Sequence, residues 1–137
     1  MSSFSDETEI LLRQVHPSFI QEGRVSSQAF RPTPKDQKKL SVNRSSLIEA
    51  REAFIFYTER KKLASAGVWG VSVREVTEIA GLNIEEDPIT DPPEDPSHSL
   101  IDFSGIDSEN KIKPISSKLA EKARTRGSLF SPADAES

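Results

Sequence analysis

Between Ser46 and Gly67 the chain carries its most regular apolar periodicity, and no other stretch limits its possible folds as strongly. Leu47, Ala50, Phe54 and Tyr57 recur every three or four residues, which lines one face of an α-helix. Ile48, Ile55 and Phe56 widen that face. Ser46 and Glu49 have the spacing of a capping box, in which each side chain satisfies a free amide of the first turn. Gly67 is a natural stop. The spacing predicts a core helix over 46–66. VWGVSV (68–73) follows at once, a continuous run of β-formers bounded by glycine, as a buried strand requires.

The next stretch, SVREVTEIAGLN (72–83), has the first half of a helix-turn-helix: a second capping box at Ser72 and Glu75, small Ala80 and a turn at Gly81. A recognition helix has to follow, with basic and polar residues for phosphate and base edges. The chain instead reads NIEEDPITDPPEDP, where Pro88, Pro92 and Pro93 prevent a useful helix and five acids between 85 and 94 repel DNA. The motif is therefore read as a strand, a turn and a short core helix over 73–80.

Elsewhere the signals are shorter. Residues 1–9 lack apolar periodicity and form a lead-in. ILLRQV fits a strand or a short helix and ends near His16, because Pro17 disfavours the α region there. Glu22-Gly23 marks a turn before a strand RVSSQAF; RPTPKDQKK is a loop; KLSVNR and HSLIDF (98–103) are strands. A last helix is expected over 114–126, with Pro114 at its first position, Ile115, Leu119 and Ala123 on its apolar face, and Gly127 beyond its end. Residues 128–137 form a mobile tail.

A chain of 137 residues suffices for one domain, and an apolar fraction of only 34% indicates that part of it lies outside the core. The expected fold is α+β: one domain over 10–127, a small mixed sheet against helices 46–66 and 114–126 and a short third helix, with an acidic proline-rich loop at 84–97.

Charge is unevenly spread. The net charge of −4 gives no general attraction to nucleic acid or anionic membrane. Yet eight acids and no Lys or Arg lie between Asn83 and Asp107, whereas between Ser108 and Gly127 six basic residues face only Glu109 and Glu121. Among these, Lys118, Lys122, Arg124 and Arg126 are candidates for binding an acidic partner surface. With no cysteine in the chain, thiol catalysis, disulfides and cysteine-ligated metals are excluded. The N-terminus has no signal-peptide pattern and no run approaches the roughly 20 apolar residues of a membrane span, so a soluble, cytoplasmic protein is expected.

One constellation suggests chemistry. His16, Arg24, Ser26, Ser27 and Arg31 fall within a short span, and a histidine beside serines and guanidiniums has the makings of a general base with an anion site. His98 and Asp102 lie on one strand face but about 13 Å apart, too far for a hydrogen bond, so His98 requires a partner from elsewhere. Neither histidine has metal-ligand spacing, and no phosphate-binding glycine loop, nucleophile elbow or HExxH motif occurs. No metal and no cofactor is implied.

Taken together, QVHPSF, GRVSSQAFRPTPKD, KLSV, VWGVSVREV and the later DP…PSHS resemble a set of small bacterial proteins without an established function, over about residues 12–126. The resemblance implies a bacterial origin and an accessory role beside other gene products, and it brings no catalytic residues. The favoured expectation is a non-enzymatic accessory protein that binds a partner protein. A small enzyme or ligand-binding domain using the His16–Arg31 cluster is the alternative, and nucleic-acid binding through the basic helix a distant third.

Overall fold

Leu11, Val15, Leu40, Val42, Ile101 and Phe103 are almost fully buried, and together they mark one face of an antiparallel sheet. The computed structural model describes Phe4, residues 6–32 and residues 38–132. The main sheet has five strands: β1 (Ile10–Val15), β4 (Lys39–Arg44), β5 (Gly67–Ser72), β6 (Asn83–Glu86) and β7 (His98–Asp102), in the order β5-β1-β4-β7-β6. Two short strands, β2 (Ile20–Gln21) and β3 (Arg24–Val25), pair separately across the Glu22-Gly23 turn. Three helices complete an α+β domain: α1 (Ala50–Ile55), α2 (Val73–Thr77) and α3 (Glu109–Arg126). All pairings are antiparallel, not mixed, because no crossover joins two neighbouring strands in the same direction.

Strand alternation divides the sheet chemically. Leu40 and Val42 face the main core, and Ser41 and Asn43 face the other side. Over the core face lies α3, through Ile112, Leu119, Ala120 and Ala123, together with a 3₁₀ turn Ser27–Phe30 that buries Ala29 and Phe30. The opposite face is only partly covered: α1 sets Ala53 and Phe54 against Leu12, Val68 and Phe130.

Several boundaries differ from expectation, each for a tertiary reason. The helix predicted over 46–66 is α-helical only from Ala50 to Ile55, widens into a π turn over Phe56–Arg60, and ends where Lys62 takes a left-handed φ of 57°. Ser46 does not cap it; its hydroxyl donates to Glu9, 37 residues away, and Glu49 occupies the N-cap position. RVSSQAF is a strand for two residues only. A strand would point the adjacent Ala29 and Phe30 to opposite faces, whereas the 3₁₀ turn buries both. The last helix begins at Glu109, five residues before Pro114, because its first turn carries the fully buried Ile112. Of the expected acidic loop, residues 84–86 belong to the edge strand β6, where Glu85 pairs with Lys39 and Glu86 with Arg44. Leu129 and Phe130 do not behave as a tail: Phe130 is 7% exposed and bridges to Val68. α2 starts as read, with both halves of the Ser72–Glu75 capping box formed. Residues 33–37 of the RPTPKDQKK loop, 1–3 and 5 of the lead-in and 133–137 of the tail lie outside the described residues.

Candidate functional site

The ladder between β1 and β4 is only two residue pairs long, Leu11 with Arg44 and Leu12 with Asn43. Beyond these pairs the strands separate, and the Arg13 side chain enters the fork: its Nη1 donates to Ser41 O at 2.9 Å and its Nε to Ala29 O at 2.8 Å. The fork opens into a cavity of about 230 Å³. Arg13 and Gln14 of β1, Ser41 and Asn43 of β4 and His98 of β7 form the sheet side; Tyr57, Lys61 and Leu63 of the π turn and the segment after it form the other.

The polar groups here are held in fixed roles. Asp87 lies against His98 twice, with its backbone oxygen 2.9 Å and its Oδ2 3.1 Å from Nδ1. Two acceptors at Nδ1 require the proton there, which leaves a lone pair at Nε2 in the neutral ring. Asn43 Nδ2 donates to Asp95 Oδ2 and Ser97 Oγ, both at 2.8 Å, so its Oδ1 stands as an acceptor. Asp95 is 3% exposed and also binds the hydroxyl and amide of Ser97, which fixes the loop behind Asn43. Gln14 Oε1 accepts from Ser65 Oγ at 2.8 Å, while its Nε2 is buried without a partner. Among the described residues, Tyr57 Oη makes no hydrogen bond and Lys61 no ion pair; the Lys61 ammonium lies 5.5 Å from the Phe56 ring.

The sequence candidates differ in their engagements. His16 is exposed, and its Nδ1 accepts from the Ser18 amide at the head of a 3₁₀ turn, Pro17–Phe19. Arg31 pairs with Glu109 at 3.0 Å. Arg24 and Ser26 line a second, more open cleft of about 380 Å³ with Gln21, Glu22, Val25 and Arg124. Ser27 begins the next turn and is not among its lining residues. His16 does not approach His98: the register sets His98 beside Asn43 and Leu12, four residues along β1 from His16, about 13 Å away on that axis alone. Asp102 does not serve His98. Burial alone would push its carboxyl up, but hydrogen bonds from Ser104 and the Lys39 charge outweigh that and hold it below the usual range.

Of the basic candidates on α3, Lys118 and Lys122 are exposed. Arg124 donates to Val25 O at 2.8 Å; Arg126 donates to Gly70 O at 3.0 Å and pairs with Glu75 at 2.9 Å. Among the described residues, no three His, Asp or Glu side chains converge as a metal site, and no helix is long and apolar enough to cross a membrane.

Gln14, Asn43, Tyr57, Lys61 and Asp87 escaped the sequence reading because two strands, the π turn with the segment after it, and a loop bring them together. The available signal was the alternation in KLSVNR and HSLIDF, which sets Ser41, Asn43 and His98 on the faces opposite Val42 and Ile101. No protein-family model, no curated protein and no solved structure matches this chain.

Proposed function

We propose that this chain is a non-enzymatic accessory protein of the bacterial cytoplasm that binds a partner protein through the segment 47–63. One observation carries the reading. The exposed large apolar side chains among the described residues all belong to that segment: Leu47 at 57%, Ile55 at 38% and Leu63 at 48%. Isolated apolar residues on a surface need no explanation, but their confinement to one stretch of chain, from the turn before α1 to the segment after the π turn, supports a contact face there. The segment is also the thinnest layer of the fold, six residues of α-helix and a π turn over a small satellite core. A partner laid over it would extend that core.

The enzyme reading depended on His16, Arg24, Ser26, Ser27 and Arg31 meeting in one concavity. Of these, Arg24 and Ser26 line a shared cleft, and His16, Ser27 and Arg31 are not among its lining residues. On α3, Lys118 and Lys122 remain available as a second, electrostatic contact, while Arg124 and Arg126 are engaged within the fold.

Photo-crosslinking in the native host tests the assignment, with a photoreactive residue placed at 47, 55 or 63 and a control at 118. The expected result is one protein captured in stoichiometric yield from the first three positions, with or without nuclease. Capture from 118 alone would move the interface to α3. An uncrosslinked monomer at every position would overturn the proposal, and capture abolished by nuclease or by moderate salt would indicate nucleic acid instead.

A further inference from the structure

In a chain of net charge −4, three consecutive cations, Arg60, Lys61 and Lys62, stand at the end of the π turn. Elsewhere Arg31, Lys39, Arg74, Lys111 and Arg126 each hold a carboxylate within 3.5 Å. Among the described residues the three cations hold none, and Glu59, immediately before them, pairs with none of them.

Two of the three gather at one aromatic ring. Arg60 Cζ lies 5.9 Å and Lys61 Nζ 5.5 Å from the centre of the half-buried Phe56 ring, inside the roughly 6 Å at which a ring attracts a cation. That attraction leaves the charge uncancelled, so both cations remain able to meet an anion. Lys62 follows at a φ of 57°, a left-handed conformation that glycine adopts at less cost, so the third charge is kept against a conformational penalty. The Leu63 amide then donates back to Tyr57 O at 3.1 Å, which ties the 48% exposed Leu63 to the end of the turn beside the cations.

This mixture restricts what can cover it. A carboxylate is the anion a protein offers, and a guanidinium holds one through two parallel N–H bonds. An aliphatic side chain next to the carboxylates would take Leu63 out of water. A nucleic acid backbone would meet the charges and leave Leu63 exposed. A basic surface would be repelled.

We propose that the partner bound at 47–63 meets residues 60–63 with an acidic peptide segment, in which at least two carboxylates flank an aliphatic side chain. The proposal rests on the partner contact inferred above and adds the chemistry of the partner.

The test is photo-crosslinking in the native host from position 63, in the wild-type background and in R60Q/K61Q/K62Q, with mass spectrometry locating the captured peptide on the partner. The expected peptide carries two or more Asp or Glu within three residues of an aliphatic one, and the neutralised variant lowers the yield about tenfold. R60E/K61E/K62E should abolish capture, and changing the partner's carboxylates to Lys should restore it. That rescue separates lost charge from lost folding. Undiminished yield in both variants, or a captured peptide without carboxylates, would overturn the proposal and leave the partner contact standing. A crosslink to residues 84–97 of a second copy, to lipid or to nucleic acid would overturn it in favour of that occupant. No capture from 47, 55 or 63 would remove the partner contact and this proposal together.

Discussion

Replacing Arg44 by methionine is expected to destabilise the protein more than almost any other single change that leaves the apolar core intact. Arg44 is 9% exposed and Glu9 6%. Arg44 Nη2 and Nε reach Glu9 Oε1 and Oε2 at 2.7 and 3.1 Å, Nη1 reaches Glu86 at 2.8 Å, and the guanidinium lies 4.4 Å from the centre of the Phe4 ring. Removing the guanidinium leaves a buried carboxylate with only the amide and hydroxyl of Ser46. Stranding one partner of a buried pair costs about 3–5 kcal/mol. The Ser46 donors, and the freedom of the half-exposed Glu86 to turn to solvent, place R44M at the lower end, about 3 kcal/mol. That corresponds to a urea midpoint lower by about 1.5 M at a slope of about 2 kcal/mol/M, or to a fall in Tm of about 12 °C. Fluorescence of Trp69, the single tryptophan, reports the transition.

The pH dependence adds an independent check. Burial pushes the Glu9 carboxyl up, but hydrogen bonds from Arg44 and Ser46 outweigh burial, so its folded value lies below the ordinary 4.5. A depressed carboxylate contributes stability that is complete above its unfolded value and is lost as pH falls through the folded one. The gap between wild type and R44M therefore narrows on acidification, because a protonated Glu9 no longer needs the guanidinium. Adding E9Q to R44M should recover part of the loss for the same reason. A cost below about 1 kcal/mol at neutral pH, or a gap of undiminished size at about pH 3, would refute the reasoning.

Two further changes probe the two ends of β5. S72A removes the hydroxyl that accepts from the Glu75 amide at 3.1 Å and should cost about 1 kcal/mol in urea unfolding; a cost near zero would mean that Glu75 holds the turn without it. F130A empties the satellite core where its ring meets Phe54 at 5.2 Å, and about 3 kcal/mol is expected, with hydrogen-exchange protection at Val68 falling in step.

How much of this could be read in advance depends on how far each residue's partner lies along the chain. The Ser72–Glu75 box formed as written because both partners are local and nothing competes. Ser46–Glu49 has the same spacing and did not form, since a buried Glu9 demanded the Ser46 hydroxyl. Likewise PPEDPSHS reads as solvated loop, yet Asp95 and Ser97 are buried, because Asn43 supplies the donor they need from 52 and 54 residues away. Alternation along KLSVNR was legible; the short β1–β4 ladder that opens the cavity was not, because register belongs to the pair of strands and to neither sequence alone.

The segment after α3 has a consequence for how molecules of this protein meet. β5 is an edge strand, and VWGVSV, β-prone and uncharged, is the kind of sequence that recruits a copy of itself. Several of its outward backbone groups are already occupied: Val68 N and O by Phe130 and Leu129, Gly70 O by Arg126, and Ser72 N by Glu75. At the far edge, β6 carries Glu85 and Glu86, whose charges repel a like strand. An incoming chain finds the hydrogen-bonding rail along β5 interrupted at both ends and a charged border at β6. The sheet is open in topology but guarded against lateral growth, which disfavours the addition of a further strand at either edge.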